Sequence, residues 1–115
     1  MKFKLIVAAV KPDLTDDLID AAKEVGATGA TIIPARGVGV HEARSFFGLH
    51  LEAQTDLILF LLEEIIVDSV LQTLATTGKF REPGTGIAFV LPVEKTAGLD
   101  SQLEKFSEEI RKRRS

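Results

Sequence analysis

Residues 3–26 read FKLIVAAVKPDLTDDLIDAAKEVG, and this stretch decides the first half of the fold. Its opening apolar run, rich in Val and Ile, ends at Lys11-Pro12-Asp13 and is typical of a buried strand. Thr15 is then placed to cap a helix, with Asp16-Asp17 in the first turn, where carboxylates suit the helix dipole. Apolar residues recur at helical period until Gly26, which is typical of a helix end. The stretch therefore predicts strand, turn and helix.

The rest of the chain predicts two more strands, a second helix and a fourth strand. A second strand is predicted over residues 30–36, with Pro34 marking an edge, a bulge or the strand end. Alternation from Leu49 predicts a long third strand that becomes fully buried near Leu61. A second apolar stripe predicts a helix over 63–78, and a fourth strand follows over 87–93. The order βαββαβ predicts an α+β, ferredoxin-like antiparallel sheet with both helices on one face.

Two segments lie outside this frame. Residues 38–48 have no clear period and are predicted to form a loop. Residues 99–113 combine a capping box at 101–104 with apolar positions at helical spacing, which predicts an additional C-terminal helix ending in the basic run 111–114. We expect one domain over 1–115, because 115 residues suit a single domain and no linker interrupts the pattern.

Composition excludes several classes of protein. The chain has no Cys, which excludes a disulfide scaffold, a thiolate metal site and a Cys nucleophile. A net charge of −3 argues against nucleic acid as the main partner. The apolar runs are too short to span a membrane, and no signal peptide opens the chain. A cytoplasmic location is the expectation.

Four stretches together resemble a known family. They are Val10-Lys11-Pro12 followed by Asp16-Asp17, then VGATGAT at 25–31, RGVG at 36–39 and GTGIAFV at 84–90. In their order and spacing over residues 3–93, the chain resembles the PII nitrogen-regulatory signal-transduction proteins and their PII-like relatives.

The resemblance implies a non-catalytic signalling protein. It implies a homotrimer that binds ADP or ATP in clefts between subunits. No other cofactor and no metal site are expected for this chain. The residues expected to line the nucleotide cleft are Thr31, Gly37, Gly39, His41, Gly84, Thr85 and Gly86. The segment 38–48 corresponds to the family's T-loop and is expected to dock on a transporter or enzyme through Arg44, Phe46 and Phe47. The protein would then meet a membrane only through such a partner.

Several departures indicate a divergent member with a short T-loop. The stretch from Thr77 to Gly86 is longer than the family's phosphate-binding B-loop, and Ile87 stands where the family has a lysine. Lys79 and Arg81 are the candidates to replace that lysine. With no Tyr in the chain, the tyrosine modification of some members is not expected. His41 stands where a metal-coordinating glutamine is typical.

Other interpretations remain open at this point. The Gly84–Gly86 stretch can be a plain turn, and Gly37 and Gly39 can form a bulge at a strand end. Phe46-Phe47 can pack on the protein itself instead of on a partner. Two other functions suit the same topology: a small hydrolase of the acylphosphatase type, and a small-ligand-binding module of the ACT type.

Overall fold

The computed structural model describes residues 2–36, 45–46, 49–50 and 54–99, with the backbone alone for the two short segments. The elements, in chain order, are β1 (Phe3–Val10), a 3-10 turn (Pro12–Leu14), α1 (Thr15–Glu24), β2 (Thr31–Ala35), β3 (Ser45–Phe46), β4 (Leu49–His50), β5 (Thr55–Glu63), α2 (Glu64–Thr77) and β6 (Gly86–Pro92). The predicted C-terminal helix over 99–113 lies outside the described residues apart from Leu99.

The main sheet has four antiparallel strands in the order β2-β5-β1-β6. β1 is central and pairs with β5 on one side and β6 on the other, while β2 pairs with the far side of β5. The edges are therefore β2, which carries Pro34, and β6, which ends at Pro92. With the two helices packed on one face, this is the predicted α+β, ferredoxin-like arrangement, and that prediction is confirmed.

The core lies between the helices and one face of the sheet. Cross-strand neighbours Ile6 and Phe60, and likewise Ala8 and Ile58, are fully buried on this face. The helices contribute buried apolar side chains at helical spacing, namely Leu18, Ala22, Val67, Val70 and Leu74. Because these residues repeat every three or four positions, each helix presents one continuous apolar stripe to the sheet.

The opposite face of the sheet is also apolar, but neither helix covers it. Leu61 opposes Leu5, which opposes Leu91 in turn, so three leucines form a row across this face. Leu61 is 41% exposed and Leu91 is 44% exposed. We call this surface the open face; its apolar side chains are Leu5, Val7, Ile33, Leu57, Leu59, Leu61, Ile87, Phe89 and Leu91. The prediction that the third strand is fully buried near Leu61 is therefore wrong, since its helix-facing neighbours Phe60 and Leu62 are buried while Leu61 itself is exposed.

The predicted long third strand is divided in two. Leu49–His50 pairs with Ser45–Phe46 in a separate two-stranded sheet, and the strand of the main sheet begins only at Thr55. The prediction of a loop over 38–48 is therefore wrong at Ser45–Phe46, which is a strand. Both pieces are strands, and successive side chains of a strand alternate between two faces whichever strand it pairs with. The pattern therefore does not mark the break between the pieces.

Thr15 has a different role from the one predicted. Leu14 takes the capping position of α1, and Thr15 is the first residue of the helix. Its buried hydroxyl donates a hydrogen bond of 2.6 Å to Oδ2 of Asp56, which lies near the start of β5. The helix start is thus tied to the sheet through a side chain, because a buried hydroxyl needs a hydrogen-bond partner.

Replacing Thr15 by Val tests this tie. The variant keeps the shape of the side chain but leaves the half-buried carboxylate of Asp56 without its donor, so we expect a loss of about 1–3 kcal/mol in the free energy of unfolding. Urea denaturation at fixed protein concentration measures the loss. Thr28→Val, at an exposed position between α1 and β2, is the matched control. Equal losses for the two variants would contradict the assignment.

Candidate functional site

One end of the main sheet carries five of the predicted site residues, namely Lys79, Arg81, Gly84, Thr85 and Gly86. Pro34, Asp56, Val10 and Gly86 lie in one row across the four strands. Strand β1 ends in this row and β2 ends one residue beyond it, while β6 begins in the row and β5 begins one residue before it. The connections after β1, after β2, before β5 and before β6 therefore all meet at this end, which we call the loop end.

The turn into the last connection begins with an unusual helix end. After α2, the Phe80 amide donates to the Ala75 carbonyl at 2.9 Å and the Lys79 amide to the Thr76 carbonyl at 3.3 Å. This is a Schellman motif, and its left-handed residue is Lys79, with φ of +54°. Because a side chain crowds the backbone in this conformation, a lysine costs about 1 kcal/mol relative to glycine there.

Helix α1 ends in the same motif with the usual residue. The Gly26 amide donates to the Lys23 carbonyl at 3.2 Å, and the Ala27 amide donates to the Ala22 carbonyl at 3.0 Å. Gly26 has φ of +116°, which only glycine adopts readily. The position that glycine fills in α1 is therefore filled by Lys79 in α2.

Two glycines of the last connection are explained by packing. The ring of Phe80 lies against Gly78 and Gly86, and a Cβ added to Gly86 would be only 2.5 Å from its Cε1 atom. Phe80 in turn packs against the core. The absence of a side chain at Gly86 thus admits an aromatic ring, and a nucleotide contact by Gly86 stays a prediction.

Thr85 holds the connection in shape. Its hydroxyl lies 2.8 Å from the Lys79 carbonyl oxygen and 2.9 Å from that of Glu82, and it shares its single proton between them. The Glu82 amide also donates to the Lys79 carbonyl, at 2.9 Å. Gly84 has φ of +83°, so in the Gly84–Gly86 turn it is this residue whose backbone demands glycine. The turn is folded back onto the end of α2.

The loop end carries four exposed cationic side chains. Lys11 follows β1, Arg36 follows β2, and Lys79 and Arg81 lie in the connection before β6; all four are exposed. Within the described part of the chain the one ion pair joins Lys4 Nζ to Glu64 Oε1 at 3.5 Å. That pair lies at the opposite end of the sheet, so it leaves the four cations free to attract an anion.

Thr31 does not join the other predicted residues within one chain. It begins β2, at one edge of the sheet, and pairs with Leu59. The Gly84–Gly86 turn begins β6, at the other edge, with β5 and β1 between them. Three strand spacings separate the two edges by about 14 Å.

The remaining predicted residues cannot be placed. Gly37, Gly39, His41, Arg44 and Phe47 lie outside the described residues. Phe46 lies in β3, of which the backbone alone is described. Their assigned roles stay predictions.

A feature that the sequence analysis missed lies at the other end of the sheet. An open depression of about 310 Å³ is lined by Lys2, Glu63, Glu64 and Ile65. Ile65 is 84% exposed. The signal was available, because Ile65 lies off the apolar stripe of α2. No cluster of potential metal ligands occurs among the described residues.

Comparison with known proteins adds to this geometry. The family model described as nitrogen regulatory protein P-II matches residues 3–102. The chain belongs to this family. The P-II match extends through the whole sheet, both helices and the connection that carries Lys79, which confirms the resemblance stated above.

Curated relatives and solved structures agree. Nitrogen regulatory protein P-II 1 of Escherichia coli K12 is 31% identical over 97 residues, covering 80% of this chain and 87% of the relative. A PII-like signalling protein from Thermus thermophilus matches with a TM-score of 0.61 and 27% identity, covering 81% of this chain and 87% of that one. Arabidopsis thaliana PII bound to citrate matches with a TM-score of 0.64 and 27% identity, covering 81% and 78%. The chain is thus a P-II family signalling protein.

Membrane insertion by a helix has no support in the described residues, where no helix is both long and apolar enough to span a bilayer.

Replacing Gly86 by Ala tests the packing explanation. The new methyl group would overlap the Phe80 ring, so we expect a loss of about 1–3 kcal/mol in the free energy of unfolding, measured by urea denaturation. Gly29→Ala is the matched control, because a Cβ there meets nothing within 4 Å. Adding Phe80→Leu to Gly86→Ala should recover part of the loss, and a full loss that persists would count against the ring as the cause.

Proposed function

We propose that this P-II family protein is a non-catalytic regulator that binds ADP or ATP between the subunits of a homotrimer and passes the nucleotide state to a partner protein. The observation that carries the proposal is the location of Thr31 and the Gly84–Gly86 turn at opposite edges of a sheet whose open face is apolar and is covered by neither of the described helices.

The open face supports self-association. Leu61, Phe89 and Leu91 are each at least 40% exposed, and they belong to a continuous apolar surface formed by all four strands. Soluble proteins rarely leave a large apolar surface in water, so such a surface marks an interface. Packing open faces together around a threefold axis removes it from solvent.

The separation of Thr31 from the glycine turn supports a site between subunits. In one chain, the β2 and β6 edges face away from each other. When the β2 edge of one copy lies beside the β6 edge of the next, Thr31 and the Gly84–Gly86 turn line the same cleft. Such a contact joins unlike surfaces, and it closes into a ring when the rotation between copies is 120°.

Charge at the loop end supports an anionic ligand. Lys79 and Arg81 lie in the connection that contains the glycine turn, Lys11 follows the adjacent strand β1, and Arg36 follows β2 at the opposite edge. Backbone amide groups at turns with alternating handedness bind phosphate well, and Gly84 supplies such a turn. The Arabidopsis relative is a PII protein bound to citrate, which is consistent with anion binding on this scaffold.

The partner is expected to be a transporter or an enzyme. The connection that contains residues 38–48 begins after Ala35 of β2 and ends before Thr55 of β5, and both of these strand ends lie at the loop end. A ligand bound there can favour one conformation of this segment by contacting it, on the order of 1–3 kcal/mol. Docking through Arg44, Phe46 and Phe47, a membrane role only through a partner, and a cytoplasmic location stay predictions from the sequence.

Light scattering on Phe89→Asp tests the trimer. The wild type should have about three times the mass of the 12.5 kDa chain. Phe89 lies on the open face opposite Val7, and a buried carboxylate in its place should dissociate the trimer. Ile65→Asp, which removes an even more exposed apolar side chain from α2, should leave it intact. A monomeric wild type at micromolar concentration would contradict the proposal.

Calorimetry with ADP, ATP and AMP tests the ligand. We expect the wild type to bind ADP or ATP, and Lys79→Ala combined with Arg81→Ala to bind about 10–100-fold more weakly, since a charge-assisted contact contributes about 1.5–3 kcal/mol. The double variant should keep the mass of the wild type. The absence of heat with every nucleotide at millimolar concentration would refute the sensing role.

A further inference from the structure

Lys79 occupies a backbone conformation that disfavours its own side chain. Its φ of +54° is the one positive value for a residue other than glycine in the described part of the chain. The equivalent position of α1 is Gly26, so the same motif is built with glycine elsewhere in this protein. A side chain held in such a conformation is a reason to look for its use.

The neighbouring glycine cannot take over this position. Gly78 comes one residue too early in the Schellman motif and is already in contact with the ring of Phe80. The residue that follows, Phe80, is itself fixed by the hydrogen bond that its N–H donates to the Ala75 carbonyl and by core packing. The register of the motif is therefore set from both sides, and Lys79 is held in the left-handed position.

The backbone of Lys79 is also joined to the predicted phosphate turn. Its carbonyl oxygen accepts the Glu82 amide at 2.9 Å and lies 2.8 Å from the Thr85 hydroxyl. The backbone of Lys79, which carries the ammonium side chain, is therefore joined to the Gly84–Gly86 turn by one hydrogen bond. The ammonium group forms no ion pair with any described residue, so its charge is available to a ligand.

Arg81 is held less firmly. It is the third residue of the turn that the Glu82 amide closes onto Lys79, and it is exposed. Its own amide and carbonyl groups form no hydrogen bond within the described residues. An arginine at such a tip loses more freedom on binding a ligand than a lysine whose backbone is already fixed.

We propose that Lys79, and not Arg81, supplies the principal cationic contact to the phosphate groups of the bound nucleotide. This inference rests on the proposed nucleotide-binding function. The left-handed position and the hydrogen bonds to its carbonyl oxygen fix the backbone of Lys79 next to the glycine turn before the ligand arrives. The lysine that the family places after that turn is thereby replaced from the end of α2.

A purely structural role makes the opposite prediction. A cation at a helix C-terminus is favoured by the helix dipole, so a lysine kept for that reason would stabilise the fold. Its replacement would then lower stability and leave affinity unchanged. A lysine kept for the ligand at the expense of backbone strain gives higher stability and lower affinity when it is replaced by glycine.

Four variants separate these cases by calorimetry with ADP and by thermal unfolding. Lys79→Gly should raise the unfolding midpoint by a few degrees and weaken ADP binding about 10–100-fold. Lys79→Arg should keep most of the affinity. Arg81→Gln should weaken binding less than Lys79→Gly does. Lys23→Gln, at an exposed lysine in the last turn of α1, controls for the loss of one charge and should bind as the wild type does.

The outcomes test the assignment to Lys79 separately from the proposed nucleotide-binding function. If Lys79→Gly binds ADP as the wild type does, or if Arg81→Gln loses as much affinity, the assignment to Lys79 is overturned while nucleotide binding stands. If the wild type binds neither ADP nor ATP, the proposed function fails and the assignment fails with it.

Discussion

The central strand β1 is apolar on both faces, and this constraint shapes the rest of the molecule. Ile6 and Ala8 point to one side and are fully buried under two helices. Leu5 and Val7 point to the other side, where neither helix lies. A sheet of this kind needs cover on both faces, because apolar surface is costly to leave in water. Within the described residues, the two helices cover one face of the sheet and leave the other exposed, which is the basis of the association proposed above.

The sequence predicted the kinds of elements well, for a clear reason. Helical and strand periodicities are set by burial of one face, and burial here follows the pattern closely, as at Leu18 and Leu74. The prediction of the third strand was wrong, because burial against the helices does not determine where that strand begins or how exposed its other face is. Leu49 and Leu61 continue one alternation, yet the first lies in a separate hairpin and the second is partly exposed on the open face. Alternation of apolar and polar residues shows which side chains lie on the same face of a strand. It does not show which strand is the pairing partner.

The site was predicted less completely, because a residue type alone does not reveal which property is used. Gly86 and Gly84 are equivalent in the sequence motif. In the structure one admits the ring of Phe80 and the other adopts a left-handed backbone. Thr15 is a residue type that commonly caps helices, but its hydroxyl donates a hydrogen bond to Asp56, 41 residues away along the chain. Such long-range partners leave no local pattern in the chain.

The prolines at the two edges of the sheet bear on which strands can pair with it. A newly made chain has two free strand edges and an apolar face, which together invite indiscriminate pairing with other chains. Pro34 in β2 and Pro92 at the end of β6 each lack an amide hydrogen, so neither edge offers an unbroken row of donors. A foreign strand that pairs with either edge meets one position that has no N–H donor. Side-chain packing on the open face, which is specific to this sequence, is then left to select the partner.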